Sequence, residues 1–274
     1  MQAYTVPMPI EEILVLMSIG LVGGLLGGLL GIGGSLVIIP ALTLLDGPNQ
    51  NLYQAAAMIV NVAVAAASTW KHASKGVIRR DILLKMLPFG LVAIVIGVAT
   101  SNQIDPYGLR ILFGLFMIYT AISELLHLVN GNGDHPEAEE GQNTELPATG
   151  LVGTVMGFAS GLLGIGGGGI AVPMLRKLCR LPLRECIGTS SAVMLITASV
   201  GAVQKNLTLP ALEATNGDAP GIEASLWLAA MLVPTAVLGS LLGASLMHRL
   251  PIAAIRMLFI LLMIAASTRM FISG

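Results

Sequence analysis

Two short stretches hold residues whose types and spacing suit a chemical task. They are "GIGGS" at residues 31–35 and "GIGGGG" at residues 164–169, each set inside an apolar run. A chain that turns on such glycines and then enters a helix leaves amide N–H groups unpaired at the helix start. Those amides, with the partial positive charge of the helix end, form a nest for a small anion. The anion-binding set on this reading is Gly31, Gly33, Gly34 and Ser35 from the first stretch, and Gly164, Gly166, Gly167 and Gly168 from the second. Ser35 stands where the second stretch has Gly168, and it adds a hydroxyl donor. The competing reading is that the glycines only let helices pack closely.

Further polar residues interrupt the apolar segments. Asn61 lies mid-segment after the first glycine turn, and Thr189, Ser190 and Ser191 lie in the corresponding segment after the second. Polar groups at membrane depth are costly and point to function. Neutral donors suit an anion that must bind and then leave, although the same residues equally serve helix–helix hydrogen bonds. Lys71 and His72 end the segment of Asn61, and Gln204 and Lys205 end its counterpart. A cation at each mouth of a path would concentrate anions there; interfacial anchoring is the plainer alternative. Glu124 and His127 are three apart on one helix face and could relay a proton, or could form an interfacial pair. No catalytic group, metal site or cofactor is expected.

The elements that position these residues follow from composition. The 274-residue chain is 55% hydrophobic and 11% charged, with a mean hydropathy of +0.84 and a net charge of −1. So few charges cannot cover a water-soluble surface, and the charge balance excludes a nucleic-acid footprint. Several runs reach the ~18 apolar residues of a membrane span. Lipid leaves backbone groups no partner outside a helix or a closed barrel, and ten-residue alternation for a barrel is absent. The fold expected is therefore all-α and integral to a membrane. The first apolar run lacks a basic n-region and reads as a retained span, not a signal peptide. Cys179 and Cys186 match no metal or redox spacing and read as small buried side chains.

The chain also repeats itself. Residues 20–42 and 153–175 align at an offset of 133 with 12 of 23 positions identical, including Pro40 and Pro173, which are expected to bend or end a short helix. Gly20, Gly24 and Gly28, and likewise Gly153, Gly157 and Gly161, form small-xxx-small rows that read as packing seams. The basic residues of loop 71–85 in the first half and loop 176–184 in the second follow different segments of the repeat. The positive-inside rule then makes the two halves inverted repeats. Each half reads as a broken re-entrant helical hairpin with short arms followed by about three spanning helices, giving four long segments per half. The expected domains are a first membrane repeat at 1–130, an acidic cytoplasmic linker at 131–147 and a second repeat at 148–274. A second polar stretch, residues 206–221, is read as separating two spans.

The doubled "GLLGIGG" motif, each copy followed by a proline, in a chain of eight long helices resembles the TauE/SafE family of sulfite exporters, and the resemblance covers nearly the whole chain. It implies a bacterial, multi-pass inner-membrane transporter of sulfite or a related sulfur-containing or organosulfonate anion. Expected partners are the anion, the lipid bilayer and a coupling proton or sodium ion, with a homodimer left open. An anion channel built on the same site is the nearest alternative. A faint serine-protease pattern at Gly243–Leu246, with His248 nearby, is the weakest, and no ATP-binding motif is present.

Overall fold

The computed structural model describes residues 9–129, 142–216, 221–246 and 252–272. Ten helices account for nearly all of them: α1 (Ile10–Leu30), α2 (Ser35–Asp46), α3 (Gln50–Ala73), α4 (Arg80–Ser101), α5 (Pro106–Val129), α6 (Leu146–Leu163), α7 (Gly168–Cys179), α8 (Leu183–Asn216), α9 (Ile222–Leu246) and α10 (Ile252–Ile272). No strand occurs among the described residues. Seven of the helices are long and apolar enough to cross a membrane: α1, α3, α4, α5, α6, α8 and α9. Their outward surface is greasy, with Trp70, Leu84, Val92 and Leu207 all more than 60% exposed. Asn61 of α3 and Thr189, Ser190, Ser191 and Thr197 of α8, polar side chains within the long helices, are fully buried instead.

The two glycine stretches break the chain between helices. α1 ends at Gly31 and α6 at Gly164, both in the left-handed conformation that closes a helix and that glycine adopts without strain. The chain then folds back. Gly23 of α1 packs against Ile38 of α2 and Gly27 against Gly34, while Met156 of α6 packs against Gly167. Each pair is thus an antiparallel hairpin. Its arms are unequal, which corrects the expectation that both are short. The first arms have 21 and 18 residues, long enough for a crossing, and only the 12-residue second arms are too short. Pro40 and Pro173 do not end these arms, which run on to Asp46 and Cys179.

The hairpins are held crosswise. In the first half Gly20, Gly24 and Gly28 of α1 lie on the backbone of Leu232, Ala236 and Ser240 of α9. In the second, Gly153, Gly157 and Gly161 of α6 lie on Met86, Gly90 and Ile94 of α4. A methyl group at any of the six would run into a carbonyl of the partner helix, so these rows are packing seams, as their spacing suggested. Each half therefore clamps the hairpin of the other, with corresponding contacts on both sides.

α3 and α8 occupy corresponding places in the repeat and run antiparallel. Lys205 and Asn206 near the end of α8 bond to Asn51 and Ala55 at the start of α3. At the other end, Thr189 accepts from the Arg79 amide at 3.0 Å, just beyond α3. α8 is longer than expected, because residues 206–216 continue it through Pro210. Asn206 and Thr208 explain this: both donate back to α8 carbonyls of the preceding turn, so their polar side chains join the helix instead of breaking it. The described end of the acidic linker is tied down by the first half. Gln142 accepts from Arg79 at 2.7 Å and the Thr144 carbonyl accepts from Lys85 at 2.7 Å.

Candidate functional site

The tips of the two hairpins meet inside the protein. All eight glycine-stretch residues named above are buried, and a methyl group on Gly168 would collide with the Gly31 carbonyl. Asn61 of α3, fully buried, joins the tips. Its Oδ1 accepts from the amides of Gly34 and Ser35 at 3.0 and 3.2 Å. Its Nδ2 donates to Ser35 Oγ at 3.0 Å and, across to the other hairpin, to the Gly164 carbonyl at 3.1 Å. In this conformation every donor of the Asn61 amide is in use, and the first turn of α2 is capped from outside its own segment.

The second tip differs at the corresponding place. Counting 133 from Asn61 leads to Met194 of α8, whose sulfur faces Gly166 as the Asn61 carboxamide faces Gly33. A thioether is at best a weak acceptor. The amides of Gly167 and Gly168 make no hydrogen bond among the described residues, although both residues are buried. The repeat thus presents one capped nest and one whose donors are open, both at the start of a helix with its dipole end toward the tip.

The remaining predicted residues are spread over the molecule. Thr189 serves the Arg79 amide at the α3–α4 turn, and Ser190 bonds to the Ile187 carbonyl in its own helix. Ser191 is the member of the triplet whose buried hydroxyl has no partner among the described residues. His72 is 1% exposed and Lys205 0%, whereas Lys71 and Gln204 are half-buried, so each predicted pair contributes one interior residue. Glu124 is half-buried on α5, and the side chain of His127 lies outside the described residues. Ser245 donates to the Leu241 carbonyl within α9, and His248 lies outside the described residues. Gly243, in the same pattern, packs against the α1 backbone.

Sequence reading missed Gln54, Asn51, Ser101 and Asn102. Gln54 lies against Gly164 of the second tip, accepts from Ser101 at 3.1 Å and donates to the Leu162 carbonyl at 3.5 Å. The signal was available: Gln54 and Asn61 are seven apart and share a helix face. An apolar segment drawn from Leu52 obscured the role of the polar start of α3.

On the side of the α3–α4 turn the charges are dense. Asp81 and Glu185 pair with Arg79 at 2.9 and 3.2 Å and, Asp81 first, hold its guanidinium above its ordinary pKa. Partial burial, then Lys71 and Arg184, push the Lys75 ammonium below its usual range.

A multi-pass helical membrane protein in which two broken hairpins bring buried polar tips together has the construction of a membrane transporter. The chain belongs to the sulfite exporter TauE/SafE family, whose sequence pattern matches residues 16–270. It is 25% identical to the probable membrane transporter protein MamO of Paramagnetospirillum magneticum, over 96% of this chain and 45% of that protein. The chain thus spans less than half the length of that relative. It is 26% identical to the probable membrane transporter protein YunE of Bacillus subtilis, over 95% of this chain and 97% of that one. A probable membrane transporter protein of Xylella fastidiosa is 31% identical over 67% of this chain and 70% of its own length. These relatives carry the names of transporters, not of enzymes. No solved structure matches the chain significantly.

Proposed function

We propose that this protein is a secondary transporter of small anions, with sulfite and related sulfur oxyanions or organosulfonates as the first candidates. The anion binds at the paired hairpin tips, chiefly on the amides of Gly167 and Gly168, with Ser35 and Ser191 as hydroxyl donors. The observation that carries this reading is the pair of buried amide donors at the start of α7 that meet no acceptor among the described residues, opposite the capped start of α2. Buried N–H groups without acceptors are rare and costly, and an anion is the ligand that satisfies two adjacent amides best.

The tips touch each other here, so binding and release require the hairpins to part. Contact of this kind favours a carrier that alternates between faces over an open channel. The two halves act as inverted repeats in this scheme, a reading supported by the antiparallel course of α3 and α8. A proton or sodium ion would supply the driving gradient in the inner membrane. The test is uptake of labelled sulfite, sulfoacetate and chloride into proteoliposomes containing the purified protein. Saturable flux of a sulfur anion, with counterflow, is expected. Absence of flux for every anion with folded protein would overturn the proposal, and unsaturable conductance would reassign it to a channel.

A further inference from the structure

Lys205 is the feature that the tips do not explain. It is 0% exposed on α8, and its ammonium donates to Asn51 Oδ1, Ser101 Oγ and Asn102 Oδ1 at 3.0, 3.0 and 2.9 Å. Three neutral oxygens satisfy its protons but do not cancel its charge. No carboxylate pairs with it among the described residues. An uncompensated cation inside a membrane protein is expensive and is retained where it does something.

Its connections lead to the second hairpin. Ser101, which accepts from Lys205, donates to Gln54 at 3.1 Å, and the Gln54 side chain lies against Gly164 and donates to the Leu162 carbonyl. The charge is therefore linked through two hydrogen bonds and the Gln54 side chain to Gly164, three residues before the first of the open amides. In a low-dielectric interior a charge acts over such a span with little screening. Its counterpart 133 residues earlier is His72, also buried, at the end of α3. The antiparallel course of α3 and α8 puts these two basic residues at opposite ends of the helix pair.

We propose that Lys205 is the anion-selectivity residue of this transporter: its positive charge, acting at a distance and not in contact, favours a small oxyanion on the Gly167–Gly168 amides. The inference rests on the proposed anion site. Asn51→Asp is the decisive variant, because it keeps Lys205 and its hydrogen bonds while installing a permanent counter-charge. Asn102→Asp repeats the experiment from α4 should the first variant not fold. The purified full-length chain is titrated with sulfite and sulfoacetate, with melting temperature and saturable flux as readouts. The aspartate variants are expected to melt at or above the wild-type temperature, yet to bind either anion at least tenfold more weakly. Lys205→Gln is expected to lose the anion response as well. A merely structural lysine would leave anion affinity unchanged in the aspartate variants, and that result overturns the inference while the amide site stands. If the wild-type protein responds to neither anion, the amide site fails and this inference with it.

Discussion

Asn61 and Met194 are the same position of the repeat put to two uses. The carboxamide of Asn61 ties two α2 amides and one carbonyl of the opposite hairpin into a closed network. Asn61→Leu keeps the volume roughly and removes all four bonds. Each buried group left without a partner costs about 1–3 kcal/mol, less where the unfolded state within lipid finds substitutes. A loss of about 2–4 kcal/mol is expected, read as an earlier midpoint in a denaturing-detergent titration. Met194→Asn tests the opposite case. A carboxamide there should cap Gly167 and Gly168 as Asn61 caps Gly34 and Ser35. The variant should fold, and its apparent affinity for sulfite should fall about tenfold, which corresponds to ~1.4 kcal/mol. Unchanged affinity would place the anion elsewhere.

At the scale of elements, the hairpins are defined by where no side chain fits. Gly168 and Gly169 are neighbours at the start of α7 with opposite surroundings. A methyl group on Gly168 meets the Gly31 carbonyl of the other hairpin, whereas one on Gly169 finds its nearest atom at 3.7 Å. Gly168→Ala should therefore force the tips apart and abolish transport, and Gly169→Ala should transport at close to the wild-type rate; equal rates in the proteoliposome assay would refute the tip contact. Much of this was legible beforehand. Apolar runs and the doubled motif located the long helices and both breaks, because lipid admits few backbone solutions. The rows from Gly20 and Gly153 announced seams by spacing alone. Partners of the seams were not legible, since spacing does not say which helix lies opposite. The ends of α8 and the role of Gln54 were hidden for a related reason. Asn206, Thr208 and Gln54 are polar by composition, and only their hydrogen bonds make them interior or helical.

The whole molecule makes a claim about sides. Val77 and Arg79 after α3 meet Gly188 and Thr189 near the start of α8, and Lys75 feels Arg184, so loop 74–79 and the α7–α8 junction share one end of the bundle. Asn102 after α4 bonds to Thr208 and Lys205 near the far end of α8 and belongs to the other end. Both basic loops thus gather at one end, which the positive-inside rule assigns to the cytoplasm. Single cysteines at Lys75, Arg184 and Gln103 test this in cells, on a background where Cys179 and Cys186 are replaced by serine. A membrane-impermeant thiol reagent should label Gln103→Cys from outside. Lys75→Cys and Arg184→Cys should react only after the membrane is opened. The halves of an inverted repeat must behave this way, because loop 74–79 follows the third helix of its half and the α7–α8 junction follows the second. If Lys75→Cys and Arg184→Cys label from different sides, α3 and α8 cannot run antiparallel across the bilayer, and alternation by exchange of two mirrored halves would have no structural basis.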